Sequence, residues 1–515
     1  MSAPTHDAST PGSTPGATAS ATPPEATATD PNTAPDPTGT ENATAPETAT
    51  APETATHSAP PLSGARPGPF RLLTALYADT AMAEIFGEAA TIDGWLRAEL
   101  ALTKAEAQVG VVTAADADAL AAISATDRID RDQLWEQARN VGYPVLPLVR
   151  QLAGQLPEGP DGHIHWGATT QDIMDTGLVL QLVAAGDRMI ALLTEFGDAL
   201  AAQTETHKNT VTAARTHAQQ AVPTTFGTKL AVYLAQVTRD LARVRRAREE
   251  VRTLSLYGAG GTSAALGENA AAVRRRMAEE LQLDVDDVPW HVARDRLVEF
   301  GSALALAAGT AGRIAREVVD LSRTEIGELK EADGHHRGAS STMPQKANPI
   351  SSEAILGFST FAATLLPALH RALEAGHERA AGEWQIEWLV LPELACSAAS
   401  ALALAAEIVR DLRVFEDVMR ANLDADGGLV LAEAYMFKLA PQLGREHAHD
   451  VVYDAARAAR QNGMTLKAAV ADIAATDPAV KAATTTPITP EHYLGENERI
   501  CDAALTRWAT AKENR

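Results

Sequence analysis

Leu297-Val-Glu-Phe-Gly-Ser-Ala-Leu-Ala-Leu-Ala-Ala-Gly-Thr-Ala-Gly-Arg-Ile-Ala-Arg-Glu-Val-Val-Asp-Leu321 is the most regular stretch of the chain. Its apolar positions Leu297, Phe300, Leu304, Ala307, Ala311, Ile314, Val318 and Leu321 follow one another at steps of three and four. That spacing puts them on one face of a helix. Two stretches upstream repeat the pattern. One runs from Thr176 to about His207 through Leu178, Leu182, Ala185, Met189, Leu193, Phe196 and Leu200. The other follows Pro223 through Phe226, Leu230, Tyr233, Val237, Leu241, Val244 and Val251. Two more are expected over Ser351 to about Leu373 and Leu391 to Leu412. Helices of about thirty residues reach about 45 Å, and seams of that length need parallel or antiparallel partners along all of it. The alternative is a set of ordinary buried helices read as continuous. The reading is an all-α fold around a central bundle of five long helices.

Composition bounds the rest. Met1 to about Pro67 is Ala, Thr and Pro with scattered acids, and repeats Ala-Thr-Ala-Pro-Glu-Thr at 43–48 and 49–54. Such a segment cannot bury enough apolar surface to offset the entropy of ordering, so a disordered tail is expected over 1–67. It has neither the basic start nor the apolar core of a secretory signal. The remaining residues hold 60 Asp/Glu against 43 Lys/Arg. That balance argues against nucleic acid or an anionic membrane as partner. No run of eighteen apolar residues occurs, so no membrane span is expected. Cys396 and Cys501 are the only cysteines, which fits a reducing, cytoplasmic setting and supplies neither disulfide framework nor zinc quartet. His447 and His449 are two apart and fall on different helix faces, so no metal is expected there. An early helix is expected over Ile92–Val109, a second over Ala114–Ile123, and a small helical cap after Gly427-Gly428 that includes Ala448–Gln461.

Three polar clusters interrupt the helical patterns. The first is His165-Trp-Gly-Ala-Thr-Thr-Gln-Asp172, in which Thr169 and Asp172 read as the N-cap and capping box of a long helix. A helix start offers N–H groups and hydroxyls to a carboxylate, although the same residues also serve a cap alone. The second is Arg215-Thr-His-Ala-Gln-Gln-Ala-Val-Pro223, which places His217 at a polar helix entrance where an imidazole can act as general acid. The third is Gly338-Ala-Ser-Ser-Thr-Met-Pro-Gln-Lys-Ala-Asn-Pro349. On composition alone it is a solvated loop. With the other clusters it is a loop carrying a base and the groups that hold an anion beside it.

Together the clusters resemble the fumarase/aspartase superfamily of lyases, whose signature Gly-Ser-Ser-x-Met-Pro-x-Lys-x-Asn-Pro the third cluster nearly matches. The resemblance covers everything after the tail. It is closest to the carboxymuconate cycloisomerase branch in His165–Asp172, Trp290-His-Val-Ala-Arg-Asp-Arg296 and Glu378-Arg-Ala-Ala-Gly-Glu-Trp384. It implies an N-terminal helical domain over 68–167, a bundle domain over 168–412 with a catalytic loop near 333–349, and a C-terminal helical domain over 413–515. It also implies a homotetramer whose sites combine clusters from three chains, with no cofactor and a small dicarboxylate as substrate.

The chemistry so implied is anti β-elimination. Ser340 removes the proton beside a carboxylate, Lys346 and Asn348 stabilise the aci-carboxylate, and His217 assists the leaving group. Thr169, Thr170, Gln219, Arg215, Ser341, Met343, Arg379 and Arg294 are the implied substrate contacts. Adenylosuccinate lyases carry serines and an arginine after the His-Glu-Arg segment for a phosphate. Here Ala380-Ala-Gly-Glu-Trp-Gln-Ile-Glu-Trp388 stands instead, and Ala347 fills a position where that branch, like many cycloisomerases, carries arginine, which argues against a phosphorylated substrate. Cycloisomerases of bacteria often lack the histidine that His217 supplies. The resulting expectation is elimination from a small substituted succinate, 2-nitrosuccinate to fumarate and nitrite. The alternatives are 3-carboxy-cis,cis-muconate cycloisomerase, adenylosuccinate lyase and a non-catalytic crystallin-like protein. Gly338 and Pro349 are expected hinges, with Ala339 standing where relatives usually have Gly.

Overall fold

The seam of Leu297–Leu321 is buried along its whole length in the computed structural model, which describes residues 71–157, 159–332 and 334–513. The expected tail, 1–67, lies outside the described residues. In chain order the elements that place the site are α1 (Glu88–Gln108), α2 (Thr170–Thr206), the hairpin β1 (Val211–Thr216) and β2 (Gln219–Thr225), and α3 (Phe226–Val251). Then come α4 (Ala270–Leu281), α5 (Asp295–Leu321), α6 (Ile350–Arg371) and α7 (Glu383–Arg410). The chain closes with α8 (Ala432–Leu443), α9 (Arg445–Asn462), α10 (Leu466–Thr476) and α11 (Asn497–Glu513).

Helices α2, α3, α5, α6 and α7 form the five-helix bundle, α1 packs on α2, and α4 packs on α1. The all-α fold around long bundled helices is the one that the residue pattern implied. Its main apolar core joins Leu102, Phe196, Leu234, Phe300, Leu369 and Leu402, each fully buried, across these helices. A separate core of Tyr435, Leu439, Val452, Leu466 and Val470 holds α8, α9 and α10 together.

Helix starts follow the caps written in the sequence. Asp172 accepts the backbone N–H of Thr169 at 3.0 Å, so α2 begins at Thr170, directly after the expected N-cap Thr169 and ahead of the apolar periodicity that starts at Thr176. Thr225 accepts the N–H of Thr228 at 3.1 Å and starts α3. Three helices, Thr170–Thr206, Ile350–Glu374 and Glu383–Arg410, are apolar and long enough to cross a membrane by length and composition, although no uninterrupted apolar run signalled them. In α2 and α7 more than half of the most apolar window is covered by the rest of the chain, against 28% in α6.

The stretch before α3 differs from the expectation. Arg215–Pro223 is a hairpin, with Thr216 paired to Gln219 and Val211 to Thr225, and not a simple helix entrance. β-Branched residues at both ends favour the strands. Pro223 has no N–H to donate and is tolerated because each strand of a two-stranded ribbon is an edge. The tip is His217-Ala218, both left-handed at φ +50° and +63°, the geometry of a two-residue type I′ turn.

The last helix returns to the bundle. Trp508 lies on Gly197 of α2, donates its indole N–H to Asp198 at 3.0 Å, and is 3% exposed. A Cβ on Gly197 would fall 2.1 Å from the indole ring, a rigid group that cannot bend away. Gly197→Leu is expected to cost about 1–3 kcal/mol in denaturant unfolding and to red-shift Trp508 fluorescence as α11 is displaced. Unchanged stability and emission would contradict this packing.

Candidate active site

Gly338 closes the neck of the loop. Its φ is +67°, and a Cβ there would lie 2.3 Å from the Asn348 carbonyl oxygen, so only glycine lets the two strands of the neck approach. Asn348 donates its N–H to the Gly338 carbonyl at 2.9 Å, and Ala339 pairs with Ala347. Ser341, Met343 and Lys346 are exposed on the projecting loop, while Ser340 and Asn348 are half-buried at its base.

The Ser340 hydroxyl oxygen accepts two backbone N–H groups, from Met343 at 3.1 Å and Thr342 at 3.3 Å. Donors aimed at one oxygen stabilise its anion more than its neutral form, the requirement for a serine acting as base. Lys346 follows with its N–H on the Met343 carbonyl at 3.1 Å, and its ammonium makes no ion pair among the described residues. A small cavity of about 130 Å³ lies under the loop between Lys330, Arg337, Ala347 and Asn348.

Thr169 and Thr170 are half-buried at the start of α2, and the Arg379 guanidinium donates to the Thr169 hydroxyl at 2.9 Å and to the Ala259 carbonyl at 3.2 Å. A cation, two hydroxyls and a helix N-terminus thus converge, a suitable anchor for a carboxylate. His217 and Gln219 are exposed at the hairpin tip. Among the described residues no hydrogen bond or ion pair joins the loop, the hairpin tip and the start of α2 within one chain.

Two of the predicted arginines are engaged elsewhere. Arg215 forms a two-pronged pair with Glu328, which is fully buried and also accepts Asn422 at 2.8 Å. Arg294 is 2% exposed and lies between Asp175, at 2.7 Å, and Glu387, at 2.7 Å, over the face of Trp290. Trp384 and Gln171 donate to the same Asp175 at 3.1 Å each. One guanidinium cannot neutralise two buried carboxylates, and burial pushes Glu387 above the usual carboxylate range against the pull of Arg294.

Asp172, Asp175, His291 and Glu387 are the residues that site reasoning missed. Each lies inside or within a few positions of a segment quoted for the resemblance, but nothing in the sequence said that the segments meet. Asp175 and Glu387 also border a cavity of about 990 Å³ walled by Trp135, Tyr143, Trp384 and Trp388. None of the predicted catalytic side chains lines it, so its size alone does not mark the chemistry.

The lyase family model matches residues 77–362, and the adenylosuccinate lyase C-terminus model matches 428–504. The chain belongs to the fumarase/aspartase superfamily of lyases. It is 40% identical to a 3-carboxy-cis,cis-muconate cycloisomerase of Pseudomonas aeruginosa, over 84% of this chain and 96% of that one. It is 32% identical to an N-acetyl-S-(2-succino)cysteine lyase of Dickeya dadantii, over 85% and 96%. The solved 3-carboxy-cis,cis-muconate lactonizing enzyme of Pseudomonas putida superposes with a TM-score of 0.81 at 37% identity, covering 85% of this chain and 99% of that one. Within the superfamily, the three segments quoted for the cycloisomerase branch are the ones that the structure ties together through Asp172, Asp175 and Arg294.

Arg294→Met is expected to cost about 3–5 kcal/mol in unfolding experiments, because it leaves two carboxylates buried without their cation. Glu387→Gln is expected to cost much less, since Glu387 is already pushed toward its neutral form. Equal losses for the two variants would contradict the charge assignment.

Proposed function

We propose that the chain is a cytoplasmic enzyme acting on a small polycarboxylate, with 3-carboxy-cis,cis-muconate cycloisomerisation as its reaction. Four copies assemble through apolar side chains that one chain leaves uncovered, among them Phe361 on α6 and Leu389 on α7, which are 45% and 73% exposed. Each site then combines Thr169, Thr170 and Arg379 from one chain, His217 and Gln219 from a second, and the Ser340 loop from a third. The similarity to the Pseudomonas enzymes over nearly their whole length supports the substrate, and the loop supports the chemistry.

The observation that carries the mechanism is the pair of N–H groups on the Ser340 oxygen. They favour an ionised serine, which gains a proton in one direction of the reaction and returns it in the other. In ring closure a substrate carboxylate oxygen bonds to the alkene carbon. The displaced electron pair passes toward the neighbouring carboxylate as an aci-form, and Ser340, which starts as the hydroxyl, delivers its proton to carbon. It is left as the alkoxide that the two N–H groups stabilise, and takes the one proton consumed per turnover from solvent. Lys346 and Asn348 balance the charge of the aci-form, and the Thr169–Arg379 anchor holds a further carboxylate.

His217 favours a second reading, anti elimination from a substituted succinate to give fumarate, in line with the likeness to the succinocysteine lyase. Release of nitrite from 2-nitrosuccinate is one case of it, and no relative named above points to that leaving group.

Purified protein should close 3-carboxy-cis,cis-muconate, read as loss of diene absorbance. If that substrate is untouched while 2-nitrosuccinate or N-acetyl-S-(2-succino)cysteine yields fumarate, the second reading replaces the first. Ser340→Ala should lower turnover by about 10²–10⁴-fold without changing the oligomer measured by light scattering.

A further inference from the structure

Glu99, Thr103 and Glu106 follow one another along α1 at steps of four and three, so their side chains share a face, and all three are fully buried. One oxygen of Glu99, the hydroxyl of Thr103 and both oxygens of Glu106 meet no hydrogen-bonding group among the described residues. Four buried polar atoms in a row cannot stay unsatisfied, because each such group costs about 1–3 kcal/mol. Internal water is the ordinary solution where a buried site is this polar.

The other oxygen of Glu99 leads toward the site. It lies 2.7 Å from the Nδ1 of His165, whose backbone is left-handed at φ +57°. His165 precedes Thr169 by four residues in the same polar turn. Burial lowers the readiness of His165 to carry a proton, but Glu99 and Asp172 outweigh it and the balance is raised. Charged groups on the elements packed around α1 are committed to other partners. Asp116 holds His163 at 2.9 Å, Lys104 holds Glu280 at 2.6 Å, and Arg274 on α4 donates to Leu256 and Ser263.

We infer that Glu99, Thr103 and Glu106 form a water-bridged acid pair that holds one proton inside the protein and sets the charge of His165 beside the Thr169 anchor. His165 is thereby a positioning residue, and its link to turnover rests on the reading of Thr169 as that anchor. The proton itself does not rest on it. With one proton the pair carries one negative charge, which His165 in its cationic form balances. Burial first, and the Glu99 charge second, push Glu106 up to about 8. Below that pH the folded chain keeps a proton that the unfolded chain has released above the ordinary value of 4.5. Stability therefore falls as pH rises from about 4.5 to about 8.

The test uses the full-length protein with ¹³C-glutamate and infrared spectroscopy across pH 6–10. A component of the protonated carboxyl band should fade near pH 8 in the parent and be missing in Glu106→Gln, with the Glu387 component left in both. The variant's thermal stability should lose the part of the fall with pH that Glu106 contributes. Thr103→Val, which keeps the volume and removes the bridge, should move that fading by roughly half a pH unit or more. Where any substrate is turned over, Glu106→Gln should remove from the pH profile of kcat/KM the change that ionisation of the pair near pH 8 produces in the parent. A protonated carboxyl spectrum at pH 6 that is the same in Glu106→Gln as in the parent overturns the shared proton. A normal band with an unmoved kcat/KM profile overturns only the coupling to His165. Neither outcome depends on which substrate is the right one.

Discussion

A carboxylate taken out of water must be met by donors, and Asp172 is met on every side. It accepts the N–H groups of Thr169, Tyr257 and Gly258 at 2.8–3.0 Å and the His291 imidazole at 2.7 Å, all while fully buried. Those contacts fix the first turn of a 37-residue helix against two other segments of the chain. One turn further on, Asp175 repeats the device with Arg294, Trp384 and Gln171. The polar turn that presents Thr169 and Thr170 is therefore rigid at its base. A carboxylate anchor has to be rigid, because a loosely held one loses the advantage of orientation.

Long helices and chemistry are linked by the same constraint. Regular helix interiors satisfy their own backbone groups, so free donors occur only at helix ends and in the connections. The three clusters occupy such places: the start of α2, the turn between β1 and β2, and the loop before α6. Because α2 is 37 residues long, its start is a full helix length from the hairpin that follows its end. The hairpin and the loop, by contrast, are both tied to the segment 328–331, through Arg215–Glu328 and Ser352–Glu331. Apolar surface that one chain does not cover, on α6 above all, offers the means to bring different ends together between chains.

Much of this was legible in the residues. The eight seam positions of α5 are all buried, as their spacing demanded, and the observed boundaries fall within two residues of the pattern there. The signature around Ser340 pointed to a base-bearing loop, and the proposal that Ser340 is that base draws on two N–H contacts to its oxygen that the signature does not show. The hairpin was not legible. Its turn is His217-Ala218, with none of the Gly or Asn that normally marks left-handed backbone, and its strands are short and mixed. The fates of Arg215 and Arg294 were hidden for a different reason. An arginine shows its charge in sequence, whereas its partners Glu328, Asp175 and Glu387 lie 93 to 119 positions away.

The proposed composite site can be tested most directly by subunit mixing. Arg379→Ala and Ser340→Ala homo-oligomers should each be nearly inactive. Denatured together in equal amounts and refolded, they should regain roughly a quarter of parental activity, as random assembly leaves some sites with both intact residues. If the mixture stays as inactive as its components while forming the parental oligomer, Arg379 and Ser340 act from the same chain and the account of the site is wrong.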